Sequence, residues 1–187
     1  MKSSTYLRCL PIAAVILLTM AGCLIVTGTF LLAITLVSGE DLSWTGDYYY
    51  DSVDLTQEQV WQDHGDQIKN IDVVGFELWI TNNNAATESY DLYLASLSSS
   101  LNSGSTLPAV VSGATQVLNN VPAAGGAPGT KTHISYPKSF SYLMNVDALK
   151  TLTEQGGFKL FLVPSDNHLT NLQVDSLKVV VTFTAAP

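Results

Sequence analysis

The chain has 187 residues, of which 47% are hydrophobic and 13% charged, with a formal net charge of −8. Sixteen acidic against eight basic side chains leave no basic patch to collect phosphates, which excludes nucleic-acid binding. Two cysteines, Cys9 and Cys23, are too few for a disulfide-stapled scaffold.

The N-terminus is the most informative stretch. Lys2 and Arg8 supply a positive start, residues 12–18 a short apolar core, and the small residues Ala21 and Gly22 stand directly before Cys23. This is the layout of an export signal with a small-residue cleavage site. With a cysteine at the first mature position, it resembles a bacterial lipoprotein signal, in which lipid is attached to that cysteine before cleavage. Met20 departs from the family pattern, which usually has leucine there. The resemblance implies a signal peptide at 1–22 and a lipid-anchored domain at 23–187. It also implies diacylglyceryl and palmitate-type acyl groups on Cys23, and a place in the bacterial cell envelope facing the periplasm or the exterior. Loss of Lys2 and Arg8 leaves six basic against sixteen acidic residues, a net charge of −10. Lipid rather than charge would then hold the domain to the membrane. The rival reading is an uncleaved single-span anchor, because no charged residue occurs from Leu10 to Gly39, a run long enough to cross a bilayer.

Further along, strand patterns dominate. Residues 24–37 read as a long first strand, with Phe30, Leu32, Ile34 and Leu36 on one parity and Thr29, Ala33 and Thr35 on the other. Asp41 to Asp47 reads as a turn before Tyr48, Tyr49 and Tyr50. Thr56 and Gln59 have the spacing of a capping box, opening a helix whose inner face carries Val60, Trp61, His64 and Ile68. In residues 73–81, Phe76, Leu78 and Ile80 oppose Glu77, Trp79 and Thr81. Asn82 to Asn84 suit a turn, and residues 89–96 return with Tyr90, Leu92 and Leu94 opposite Asp91 and Tyr93, which predicts a hairpin. Residues 92–130 carry no charge, and their Ser-, Gly- and Pro-rich parts read as loops around a short strand at 114–121. A strand near 133–143 is bent by Pro137. Asn145 caps a second helix lined by Val146, Leu149 and Leu152 and stopped by Gly156 and Gly157. Residues 158–163 and 172–184 close the chain as strands, the last with Leu177, Val179, Val181 and Phe183 on one face. Seven or eight strands predict an all-β fold, a β-sandwich with two short helices. A lipocalin-like barrel is the alternative.

The apolar strand after the cysteine, the aromatic turn, DVVGFELWITNNNAATESYDLYL and the C-terminal VDSLKVVVTF together resemble a group of small bacterial lipoproteins of unknown function. The resemblance covers most of the mature chain and rests on structural strands. It implies envelope localisation and carries over no substrate and no active residue.

Residue types give little catalytic chemistry. His64, His133 and His168 are far apart, with no HExxH spacing and no GxSxG elbow. No enzyme and no cofactor is expected. Asp41, Asp47, Asp51 and Asp54 form an acidic run without the DxDxDG calcium-loop pattern, and read as a solvated face with a structural calcium as the alternative. Trp44, Tyr48 and Tyr50 are candidate stacking aromatics for a sugar or peptide. The expectation is a non-enzymatic envelope lipoprotein with a structural or protein-binding role. A carbohydrate- or peptide-binding module is the alternative, its partner a protein or glycan of the envelope.

Overall fold

The computed structural model describes residues 28–38, 47–64, 68–165 and 172–185. They form a mixed fold of two antiparallel sheets with several short helices. The strands are β1 (Gly28–Ser38), β2 (Tyr49–Asp54), β3 (Ile68–Asn82), β4 (Glu88–Ser96), β5 (Thr115–Ala123), β6 (Thr130–Ile134), β7 (Gly157–Pro164) and β8 (Leu172–Ala185). The helices are α1 (Gln59–His64), α2 (Leu107–Gly113), α3 (Tyr136–Ser139) and α4 (Val146–Glu154), with a 3-10 turn at Leu55–Gln57.

Sheet A has the order β1-β8-β3-β6 and sheet B the order β2-β7-β4-β5. The pairs are nested: β4 with β5, β3 with β6, β2 with β7, β1 with β8, all antiparallel. Two further pairings, β3 with β8 and β4 with β7, join these into two open four-stranded sheets rather than a barrel. Between the sheets lies one core. Val74, Phe76, Leu78 and Ile80 of β3 and Leu177, Val179 and Val181 of β8 enter it from sheet A. Tyr90, Leu92 and Leu94 of β4 and Phe158, Leu160 and Leu162 of β7 enter it from sheet B. This is the two-residue period of a strand with one buried face. The outer face of sheet B carries a second, smaller core, in which Tyr93, Phe161 and Val163 are covered by Leu101 and by Val110 of α2.

Several expectations change. The hairpin expected from residues 73–81 and 89–96 does not form, because β3 lies in sheet A and β4 in sheet B. Both strands point their even-numbered residues into the shared core, and alternation looks the same whether two strands pair or face one another. Asn82 makes the crossing. It is fully buried; its Nδ2 donates to Ala86 O at 3.0 Å and to Ala123 O at 3.1 Å, and its Oδ1 accepts from Asn84 N at 2.7 Å. β3 also begins earlier than expected, and Ile68 opens this strand instead of closing a helix.

Among the described residues, four helices stand where two were expected. Both unforeseen helices, α2 and α3, carry proline in the first turn, where a missing N–H leaves no bond unmade. Pro137 therefore starts a helix rather than bending a strand. The capping box at Thr56 and Gln59 is absent. Asp54 caps the 3-10 turn by accepting from Thr56 N at 3.0 Å, and Gln59 turns its side chain to Asp63. Asn145 precedes α4 in a left-handed conformation but makes no side-chain cap; its amide donates to Gln116 O at 2.8 Å. Leu149 of α4 is buried as expected, whereas Val146 is exposed. Residues 24–27 of the expected first strand, and Trp44, lie outside the described residues.

Asn82→Ala removes three bonds at once and leaves the buried carbonyl of Ala123 without its donor. We expect a loss of about 2–3 kcal/mol in urea unfolding, with the slope against denaturant unchanged.

Candidate functional site

The outer face of sheet A is where unlike side chains converge. The alternation that buries Phe76, Leu78 and Ile80 sends Glu77 and Trp79 of β3 outward. Register then selects their neighbours. Trp79 lies opposite His133 of β6 on one side and Ser176 of β8 on the other, while Glu77 lies opposite Lys178. The pairing of β3 with β8 shifts between Trp79 and Ile80, so that Asp175 is the extra residue of a bulge. Its carboxylate accepts from Thr81 Oγ1 at 2.7 Å and has Lys131 Nζ at 3.5 Å.

The Trp79 and His133 rings stack, with centroids 3.9 Å apart and planes 7° from parallel. His133 Nε2 lies 2.9 Å from Glu77 Oε1, and Lys178 Nζ 3.6 Å from Glu77 Oε2. The bond from His133 holds the Glu77 carboxyl below the usual carboxylate range, aided by the positive charge of Lys178 and opposed by partial burial. An ionised carboxylate only accepts, so the proton of this bond sits on Nε2. The indole is thus held by a ring whose own orientation is set by a carboxylate, yet Trp79 keeps 39% of its surface exposed. Beside this row, Gly75 allows the Tyr136 ring of α3 to lie against β3, where a Cβ would stand 2.7 Å from it. Phe76 N donates to Ser139 Oγ at 3.1 Å, so α3 continues the edge that β6 leaves.

Of the residues singled out in the sequence, Cys23 and Trp44 lie outside the described residues, as do Asp41 and His168. Tyr48 and Tyr50 flank Phe161, at centroid distances of 5.6 and 5.2 Å, and form part of the second core. The Tyr48 hydroxyl reaches Asn102 O at 3.0 Å and Ser105 O at 2.6 Å, fastening the loop before α2, and burial raises its pKa. Lys159 secures the same loop through Ser99 O and Leu101 O. Asp51 accepts from Ser52 N and Asp54 from Thr56 and Gln57. Among the described residues no group of three or more His, Cys, Asp or Glu is placed to hold a metal. A shallow cavity of about 370 Å³ lies between the end of β4, α2 and α4, lined by Leu94, Ser96, Thr115 and Thr151 without a charged side chain. Sequence reasoning placed Trp79 on the outward face but gave it no partner. Glu77, His133 and Lys178 come together only through register. No protein-family model matches the chain, and no curated protein matches it either.

Because the Glu77 carboxyl is lowered in the fold, its stabilising contribution is present above its unfolded pKa and is lost as pH falls through the lower folded value. Glu77→Gln should therefore be less stable than the parent at neutral pH, by less than about 1 kcal/mol for so accessible a pair. The two urea midpoints should converge in strong acid.

Proposed function

We propose that the chain is a non-enzymatic lipoprotein of the bacterial cell envelope, anchored through lipid on Cys23 and serving as a binding or structural module. The observation that carries this is the spacing at the N-terminus: small residues precede Cys23, and β1 starts at Gly28, after only four intervening residues. A segment that short reaches no more than about 18 Å when fully extended. The domain would be held against the bilayer, facing the periplasm or the exterior. The strand at 28–38 takes the second part of the uncharged run into a sheet, so an uncleaved anchor would have to lie within residues 10–27.

The finer architecture in this reading is a β-sandwich of jelly-roll type. What supports it is the nested pairing together with the orders β1-β8-β3-β6 and β2-β7-β4-β5, which follow from folding one long antiparallel hairpin across a common core. The residues brought together by the fold favour binding: His133 meets a carboxylate on an open sheet face and stacks on a tryptophan that stays part-exposed. A sugar or peptide partner at Tyr48 and Tyr50 is the weaker variant, because their rings and the Tyr48 hydroxyl are engaged within the second core.

Intact mass of the protein purified from bacterial membranes tests the anchor, with Cys23→Ala alongside. The expected species begins at residue 23 and carries diacylglyceryl and acyl mass that the variant lacks. A full-length, unmodified chain held in the membrane would overturn the lipoprotein reading.

A further inference from the structure

We propose that the outer face of sheet A around Trp79 binds a neutral oligosaccharide, with the apolar face of a pyranose ring resting on the indole. This rests on the reading of the domain as a binding module, and not on the lipid.

β3 runs between β6 and β8. His133, on the β6 side, stacks on one face of the Trp79 ring, and β8 runs along the other side of β3. There the residue in register with Trp79 is Ser176. Serine is too short to cover an indole, which accounts for the exposure of Trp79 on a sheet whose other face is closed. The row therefore runs from a rigid aromatic wall to the small side chain of Ser176. Polar side chains flank it on both sides, the Glu77–Lys178 pair two residues along β3 in one direction and the Thr81–Asp175–Lys131 group two residues in the other. Those rims are about 13 Å apart along the strands, room for one or two sugar rings.

The chemistry of this trough selects its occupant. A pyranose with equatorial hydroxyls has an apolar face of C–H groups and a periphery that both donates and accepts hydrogen bonds. The indole suits the first, since it offers a large flat surface with little conformational entropy to lose. The rims suit the second, because carboxylates accept, ammonium groups donate and hydroxyls do both. Each carboxylate in the trough already has a lysine beside it, so no unpaired charge is left to capture an ion, and the acidic chain repels anions. A peptide added as a strand would need a sheet edge, whereas Trp79 stands on an inner strand. The side chains are already ordered by one another, which keeps the entropic cost of binding low.

The test is calorimetric titration of the full chain, in a detergent without a sugar headgroup, with cellotetraose and with chitotetraose. Saturable binding to at least one is expected, with dissociation constants of roughly 0.1–1 mM for so shallow a site. Trp79→Ala should weaken it by about tenfold or more. His133→Ala should weaken it a few-fold, since the indole remains but is no longer held. Unchanged urea midpoints for parent and Trp79→Ala would separate a lost contact from a lost fold. No saturable heat with either sugar up to about 10 mM, or equal binding by a folded Trp79→Ala, would overturn the site. Either result would leave the lipid on Cys23, read independently by mass, untouched.

Discussion

The pairing of β3 with β8 is the constraint on which the rest of the structure depends. It runs from Ile68 against Ala185 to Asn82 against Leu172, and it lays the longest strands of the domain side by side. Each of the two strands then has a second neighbour, β6 for β3 and β1 for β8, so sheet A is assembled around this one ladder. Roughly a hundred residues separate the partners, and the entropy of closing that loop must be met before the ladder returns anything. The compensation comes from the apolar residues that the ladder turns inward. Phe76, Leu78, Val179 and Val181 are buried only when sheet B, held by β4 and β7, closes over them. Neither sheet has a dry face without the other.

This mutual dependence explains which parts of the fold can be read locally. Strand positions and inward faces follow from the two-residue period, and Phe76, Leu78, Ile80, Tyr90, Leu92, Leu94, Leu177 and Val179 are all buried as their pattern implies. Pairing does not follow, because it is a relation between distant segments. The turn at Asn82 to Asn84 was legible as a turn. Whether it reverses the chain within one sheet or carries it across to the other depends on Asn82 finding Ala123, forty-one residues away. Helices with proline in the first turn escaped for a different reason. Pro108 and Pro137 stand in helices of seven and four residues, too short to show an apolar period, which are held by docking against the sheets, through Val110 in one and through Ser139 against Phe76 N in the other.

The face around Trp79 divides in the same way. An outward tryptophan on a strand of otherwise clear alternation is visible in the sequence. Its neighbours are invisible there. Glu77 and His133 are fifty-six residues apart, and Thr81 and Asp175 ninety-four, so only the register of β3 with β6 and β8 brings them together. The bulge at Asp175 matters in this respect. Without the extra residue the carboxylate would alternate with Ser176 across the sheet, and Thr81 would lose its acceptor. Tyr48 and Tyr50 are the converse case. In sequence they look like a recognition cluster, but the strand they introduce lies under the loop before α2, and Phe161 of β7 takes up their rings.

The same ladder relates the proposed anchor to the proposed site. Gly28, Ile68 and Ala185 are in register at one end of sheet A, and a lipid on Cys23 would bring that end to the bilayer. Trp79 is eleven residues further along β3, a distance of about 36 Å in extended strand. With such an anchor, sheet A would be long enough to place its aromatic wall well beyond lipid headgroups. A rigid ladder would do this without a long tether. A site carried at fixed height above a membrane suits a ligand that is itself fixed, such as a polymer in the wall or on a neighbouring surface. Many weak contacts on a surface of anchored copies would then hold what a single shallow trough could not.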